Sequence, residues 1–528
     1  MMAASRPWKA LRPVLEGVSD VPPDLRVSDI TQDSREVSAG SAFLACRGHS
    51  HHGLEYAARA AAAGARVILW ESAPGIAPPP LDASILMREV PHLRAQLGLI
   101  ADRFFDSPSA RLQIAAVTGT NGKTTCAWLL SQALTLLGRS AAYLGTLGVG
   151  TPPALEPLAH TTPDAITLHR ALAYLAARGI DTLAMEISSH ALAQDRCAGV
   201  RLHTAAFTNL TRDHLDYHGD MQRYGEAKAK LFAWPQLHAR VFNVDDAFGR
   251  TLADRYAQSG GAALGEGGPA ASLWLTSRHR RPGSAARGAG EYVYARRLEL
   301  NAEGLELEVD SSRGSGRIRS ALRGAFNAEN LLTCLAVLLA WDTPLDQACE
   351  TLDRCAPAPG RLQPEGGSGV PLVLIDYAHT PDALSAALAA ARAHCRGRLW
   401  CVFGCGGERD VGKRAQMGRI AAQAADELII TDDNPRREDP QQIVAAIVQG
   451  VHSSARATPA RVIHDRAQAI ARAIEEASAS DVVLVAGKGH EDYQIVGAER
   501  RAFSDSACVR AVLAARAPAG STPRPAHP

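Results

Sequence analysis

From residue 111 onward, apolar positions come in short runs of strand length: "IAAV", "TLAMEI", "AAFT", "RVFNV", "LVLI", "LWCVF", "ELIIT" and "VVLVA". Between them lie Ala/Leu-rich stretches of helical length, such as "AWLLSQALTLLG". Alternation of this kind predicts βαβ units and mostly parallel sheets, an α/β fold. Nearly every run is followed at once by glycine or polar residues. In open α/β sheets ligands bind outside the carboxyl ends of the strands, so those following residues are the candidates for chemistry. Before residue 108 the pattern is less regular: a polar turn and short strands, then an Ala-rich helix and a further strand in "ITQDSREVSAGSAFLACRGHSHHGLEYAARAAAAGARVILWE".

A chain of 528 residues exceeds one hydrophobic core and suggests about three domains. Breaks fall near residues 108 and 356, giving blocks 1–108, 109–356 and 357–515, with a Pro/Ala-rich tail at 516–528 expected to be disordered. The Gly/Pro-rich stretch 356–369 reads as a linker or surface loop. The stretch 276–292 is Arg/Gly-rich but has no aromatic residues among its charges, so it reads as a surface loop and not a nucleic-acid patch. A net charge of +1 excludes a dedicated nucleic-acid or membrane-surface protein. No apolar run is long enough to span a membrane, and the N-terminus has no secretory core. Ten cysteines without a C-x-x-C pair predict reduced thiols and a cytoplasmic location.

"AAVTGTNGKTTCAWLL" reads strand, loop, helix. Gly119, Thr120, Asn121, Gly122, Lys123, Thr124 and Thr125 form a phosphate loop in which backbone N–H groups cradle phosphates at a helix N-terminus. Lys123 neutralises the outer phosphates and the Thr124 hydroxyl reaches Mg²⁺. The strict pattern needs glycine at position 117, where this chain has Val117, which points to a variant loop. Glu186 ends a neighbouring strand, where a Mg²⁺ ligand belongs. His214 and His218 have zinc-helix spacing, but Gly219 follows directly and no H-E-x-x-H is present. Lys228, on a helix beside Leu231 and Phe232, would ordinarily be a solvated helix face.

In order along the chain stand "TGTNGKTT", "EISSH", "DHLDYH", "YGEAK", "GAFNAEN", "APGRLQ" and "DYAHTPDAL". This series resembles the Mur ligases over almost the whole length. The resemblance implies three domains: an N-terminal nucleotide-substrate domain, a central P-loop ATPase domain and a C-terminal Rossmann-like amino-acid domain. It also implies a two-step reaction in which ATP phosphorylates a carboxylate of UDP-N-acetylmuramoyl-L-Ala-D-Glu, and an incoming amine displaces the phosphate from the acyl phosphate. By resemblance Thr124, Glu186 and His214 are metal-site residues, and Lys228 carries a CO₂-derived carbamate as a further ligand. Asn327, Asn330, Arg361 and Asp376 match nucleotide contacts. Gln32, Ser34, His49, Ser50, His51, Thr161, Thr162, Ser188, Gln194 and Arg196 match contacts to the UDP-linked substrate. The expected partners are small molecules, and the chain is expected to be a monomer.

The third block adds a selective feature, "DDNPR", after the run "ELIIT". Pro435 fixes its own φ and pushes Asn434 away from helix, so the loop is stiff and holds Arg436 at a fixed reach. In the resembled family this motif selects the amine. meso-Diaminopimelate carries a distal carboxylate that a guanidinium can grip, whereas lysine offers only an ammonium. Asp433, Arg409, Gly487 and Glu491 join the same expected pocket, with Glu491 accepting the distal ammonium. Three readings compete with this one: a sibling ligase for lysine or glutamate, a P-loop switch that hydrolyses ATP without an amine, and a binding protein that has lost catalysis.

Overall fold

The computed structural model describes residues 8–48, 51–258, 271–282, 290–301, 303–456 and 458–516. The expectations for His49, Ser50 and nearly all of the C-terminal tail fall outside them. The chain divides into two compact units: Met1–Ser277 with Pro282–Val293 and Thr333–Thr343, and Arg278–Arg281 with Tyr294–Leu332 and Pro344–Pro528.

Besides the short antiparallel pair Lys9–Ala10 with Arg26–Val27, the first unit holds two larger sheets. A four-stranded parallel sheet runs Ile30–Thr31, Ala42–Ala45, Val67–Trp70, Leu86–Glu89. The second sheet is built around Gln113–Thr118, which lies between Thr182–Glu186 and Thr204–Phe207, all parallel. It extends to Ala239–Asn243 and Ser272–Ser277 on one side and to Ala141–Gly145 on the other. These central strands are buried on both faces, which explains their continuous apolar runs. An antiparallel edge, Gly148–Thr151 with Ala154–Glu156, completes that side. Register puts Glu186 opposite Val117 and Phe207 opposite Thr118, so three carboxyl ends open beside the phosphate loop.

The second unit has a six-stranded sheet in the order Gln363–Gly366, Leu372–Asp376, Val482–Ala486, Leu399–Phe403, Glu427–Ile430, Ala460–Val462. All its pairs are parallel except the first. Helices Pro381–Ala393, Gly412–Ala424 and Pro440–His452 pack with one apolar cluster, and Arg466–Glu476 and Asp505–Arg516 with another. The 356–369 stretch is not wholly loop. Gln363–Gly366 forms the antiparallel edge strand. Pro364 is tolerated there because an edge strand leaves one side of its ladder unpaired. Gly304–Ser311 and Gly314–Ser320 form an antiparallel pair.

Among the described residues no helix is long and apolar enough to cross a membrane. All ten cysteines are free thiols.

Candidate active site

The strand Gln113–Thr118 turns through Gly119 and Gly122 into the helix Lys123–Leu136. Gly119 has φ +151°, and a side chain there would collide with Thr208 Oγ1, so only glycine lets the loop close. Lys123 Nζ donates to the carbonyls of Gly119 and Thr120, both at 2.9 Å, folding the loop around its own ammonium. Asn209, after the strand Thr204–Phe207, accepts from Asn121 N through its side chain at 2.9 Å and from Thr120 N through its carbonyl at 2.8 Å.

Glu186 is fully buried at the end of its strand. One carboxylate oxygen accepts from Thr124 Oγ1 at 2.9 Å and Thr146 Oγ1 at 3.1 Å. The other accepts from Thr146 N at 2.9 Å and from the Tyr143 hydroxyl. A buried carboxylate needs such donors. Thr146 and Tyr143 carry no motif, and sequence reasoning missed them. The helix-start hydroxyl and the strand-end carboxylate therefore meet as expected.

Lys228 lies in the helix Met221–Ala229 with its side chain buried, not on a solvated face. Its Nζ donates to Gly119 O at 2.8 Å, the same carbonyl that receives Lys123, and lies 4.4 Å from the Tyr224 ring centroid. Burial, helped by the nearby Lys123 ammonium, pushes its proton affinity well below that of ordinary lysine.

His214 precedes the short helix Leu215–His218 in a left-handed conformation, φ 52°. It belongs to a cluster of rings with His190, Tyr217, His218 and Tyr224. Burial and the charges of His214 and His218 bring His190 down to about 4. Burial lowers His214 as well. His214 sits outside the one-turn helix in a left-handed conformation, so it and His218 do not share a helical zinc face, and Gly219 ends the helix directly after His218. Among the described residues no group of three or more His, Cys, Asp or Glu could hold a metal ion.

Several expected UDP-substrate residues are brought together. A cleft of about 210 Å³ is lined by Gln32, Arg47, Arg94, Gln194 and Arg196 among others. Arg196 donates to Gln194 Oε1 at 2.8 and 3.0 Å and to Thr162 O at 2.8 Å. Thr162 Oγ1 donates to Glu186 O and accepts from Ser188 N, which ties the cleft to the carboxylate strand. Thr161 Oγ1 lies 3.0 Å from Thr146 Oγ1. Ser188 caps the helix Ser189–Ala193 by accepting from Ala191 N. Ser34 is buried and does not line the cleft, and His51 is exposed beside Glu55. Arg47 and Arg94 were not singled out from sequence, since isolated arginines carry no pattern.

In the second unit Asn330 Nδ2 donates to Asn327 Oδ1 at 2.8 Å, and Asn327 Nδ2 to Arg323 O at 2.7 Å. Asp376 ends its strand and accepts from Leu362 N at 2.8 Å. Burial raises its carboxyl to about 6 against the pull of Arg361, whose guanidinium lies 5.0 Å from the Tyr377 ring centroid.

The 431–439 loop is held from several sides. Asn434 Nδ2 donates to Glu491 Oε2 at 2.9 Å, and Asn434 Oδ1 accepts from Lys488 Nζ at 3.1 Å and Ile495 N at 2.9 Å. Arg436 sits at φ 54°. Its N–H donates to Ile495 O at 3.0 Å, its carbonyl accepts from Gly497 N at 2.7 Å, and Nη1 donates to Gly407 O at 2.8 Å. The hairpin Tyr493–Val496 with Glu499–Ala502 thus clamps the backbone of Arg436. Glu438 braces the loop against 406–409 by accepting from Arg414 at 2.6 and 2.8 Å and from Glu408 N at 3.0 Å, which draws its carboxyl down to about 2. Gly487 has φ +118°, and a Cβ there would lie 2.5 Å from Asp433 Oδ2. Burial raises the Asp433 carboxyl, opposed by Arg466 and Lys488. Arg409 is exposed, as is Arg437. Glu491 is not a free acceptor: one oxygen already receives Asn434 and Lys488, the latter at 3.0 Å. Lys488, Arg414 and Glu438 were missed because each is a single charged residue in a polar loop or on a helix.

A variant phosphate loop, a strand-end carboxylate and a buried lysine in one unit, with a charged strand-end pocket in the other, define a nucleotide-using ligase of modular build. Three family models match the chain: Mur ligase family, catalytic domain, at residues 26–105; Mur ligase middle domain at 117–338; and Mur ligase, glutamate ligase domain, at 360–489. The chain belongs to the Mur ligase family. It is 49% identical over 496 residues to the UDP-N-acetylmuramoyl-L-alanyl-D-glutamate--2,6-diaminopimelate ligase of Xanthomonas campestris, covering 93% of this chain and 95% of that one. The protein of the same description from Alkalilimnicola ehrlichii is 46% identical over 492 residues, covering 92% and 94%. A solved structure of a UDP-N-acetylmuramoyl-L-alanyl-D-glutamate--2,6-diaminopimelate ligase superposes with TM-score 0.67 at 35% identity, covering 96% of this chain and 99% of that one.

Proposed function

We propose that this chain is an ATP-dependent ligase that joins meso-diaminopimelate to UDP-N-acetylmuramoyl-L-Ala-D-Glu in cytoplasmic peptidoglycan-precursor synthesis. The observation that carries the choice of amine is the pocket at 433–436 and 487–491. Arg436, whose guanidinium is held by Gly407 O, shares the braced 431–439 loop with Asn434, and Asn434 bonds the Glu491 carboxylate of the 487–491 turn. A cation and an anion held in fixed relation suit an amino-carboxylate centre, which carries both opposite charges.

ATP transfers its γ-phosphoryl group to a carboxylate oxygen of the D-Glu residue, which makes a good leaving group of that oxygen. The diaminopimelate amine then attacks the acyl carbon, and the C–O bond to phosphate breaks. Such transfer chiefly needs positioning and charge neutralisation. In our reading the 119–125 loop and Lys123 supply these for the phosphates, and Asn327, Asn330, Arg361 and Asp376 hold the rest of the nucleotide. Gln32, Gln194 and Arg196 grip the UDP-linked substrate, with Thr161, Thr162 and Ser188 setting the strand end beneath it. Arg409, Asp433 and Gly487 complete the amino-acid pocket.

The oxygen donors of Thr124 and Glu186 suit Mg²⁺, which takes few protein ligands and fills its shell with phosphate oxygens and water. Magnesium there would neutralise charge between nucleotide and acyl acceptor. His214 and Lys228 join this set in our reading. The depressed basicity of Lys228 favours the neutral amine. CO₂ can add to it, forming an N–C bond and releasing one proton, so that a carboxylate-like group replaces a cation.

Phosphate release from ATP, measured with UDP-N-acetylmuramoyl-L-Ala-D-Glu and either meso-diaminopimelate or L-lysine, tests the reading. Release that depends on diaminopimelate, with a nucleotide-tripeptide of the matching mass, is expected. Release that depends on lysine instead assigns the sibling activity, and release with neither amine makes the chain a nucleotide hydrolase.

A further inference from the structure

Beneath the amino-acid pocket lies a group of buried charges. Lys488 is fully buried, with its Nζ 3.1 Å from Asn434 Oδ1 and 3.0 Å from Glu491 Oε2. Arg466 and Asp505 form a fully buried pair, Nε to Oδ1 at 2.7 Å and Nη2 to Oδ2 at 2.8 Å, and Arg466 Nη2 also donates to Ala486 O at 3.0 Å. Asp433, 7% exposed, feels Arg466, Lys488, Glu491 and Asp505. Arg409 is exposed, so solvent screens its charge; among the buried groups, with half-buried Arg436 at the pocket's edge, the cations are Arg436, Arg466 and Lys488 and the anions are Asp433, Asp505 and Glu491. The formal charges cancel.

We propose that Lys488 is a specificity-setting positioning residue: its buried ammonium balances the pocket to net zero, so that the pocket accepts a zwitterionic amino-carboxylate end and rejects a bare ammonium. Two features beyond charge counting support this. Lys488 spends its donors on the Asn434 oxygen and on the Glu491 oxygen that Asn434 also bonds, so it fixes the carboxylate's rotamer and leaves one oxygen for a ligand. It is also held below the surface, so water does not screen it and its charge acts on the pocket at full strength. Without it the pocket carries an excess negative charge beside Glu491. That excess attracts the single positive charge at the end of lysine and does nothing for a neutral zwitterionic end.

This inference rests on the reading that the pocket takes meso-diaminopimelate, so the unaltered enzyme is assayed first with each amine. If it uses lysine or neither amine, that reading fails and the inference with it. If it uses diaminopimelate, Lys488→Met is compared at equal ATP. The expected result is a fall of about 10²-fold in the ratio of kcat/KM for diaminopimelate over lysine, driven by amine KM, with ATP KM unchanged. The double variant Lys488→Met with Glu491→Gln, which restores net zero, should recover discrimination against lysine. An unchanged ratio in Lys488→Met, or equal losses for both amines and for ATP, overturns the proposal and leaves Lys488 a stability element only. Should Lys488→Met fail to fold, Glu491→Gln reads the opposite sign: the pocket becomes positive and lysine turnover drops further. Increased lysine use by Glu491→Gln overturns the proposal equally.

Discussion

A lysine whose amine nitrogen shares one carbonyl oxygen with a neighbouring ammonium is held in a state that water would not give it. Lys228 is in that position at Gly119 O. Its folded-state proton affinity is depressed, so between the folded value and the ordinary lysine value, about 10.4, the unfolded chain binds the extra proton. Burying this amine therefore costs stability at neutral pH, and the cost fades as pH rises through that window. Lys228→Met should raise Tm by ~2 °C or more at pH 7 and by less near pH 10, while ligase activity is lost. A lowered Tm at pH 7 with activity retained would remove Lys228 from both accounts. From sequence its place in the site was read only through family likeness, because a lysine between alanines on a helix carries no sign of burial. The place of Glu186 was legible on its own, since a carboxylate ending an apolar strand next to the phosphate-loop strand falls beside that loop. Its donors Tyr143 and Thr146 were not, because they come from a neighbouring strand and its turn and carry no motif.

Strands in the middle of sheets announced themselves, because burial on both faces leaves continuous apolar runs such as "LWCVF" and "VVLVA". Edge and hairpin elements did not. Gln363–Gly366 reads as a loop because proline and glycine fill it, and Gly304–Ser311 alternates polar with apolar residues as a one-sided strand must. The close contact between the turn at Gly487 and the 431–439 loop was also hidden. It sets a sharp steric limit. Gly487→Ala puts a methyl group 2.5 Å from Asp433 Oδ2 at a φ unsuited to any L side chain, a strain of about 1–3 kcal/mol. The expected outcome is an amine KM raised at least ~10-fold with ATP KM little changed. Parallel rises in both constants would mean that the strain spreads beyond the amino-acid pocket.

For the molecule as a whole, the cleft lined by Gln32, Gln194 and Arg196 falls in one compact unit and the pocket at 431–439 and 487–491 in the other. Ligands should then leave separate footprints in hydrogen exchange. UDP-N-acetylmuramoyl-L-Ala-D-Glu is expected to protect peptides around 30–50 and 160–196. meso-Diaminopimelate, added alone, should protect 404–414, 431–439 and 487–497, by an amount that grows with ligand over Kd. Protection by diaminopimelate confined to the first unit would reverse this assignment. The α/β grammar was legible from the periodicity of apolar runs, and the phosphate loop from its glycines. The brace of Arg414 on Glu438 was not, since 24 residues separate partners that only the folded sheet brings together.

The clamp on Arg436 has a further consequence. Its N–H and carbonyl are both engaged by a two-stranded hairpin some 60 residues downstream, so the aim of its guanidinium is inherited from that hairpin's length and register. With the amine bound there as proposed, a change of amine can arise by remodelling 431–439 together with 487–502 as one cassette, while every residue of the phosphate loop stays as it is. Selection for a different cell-wall chemistry would act on a part that can be exchanged without touching the engine.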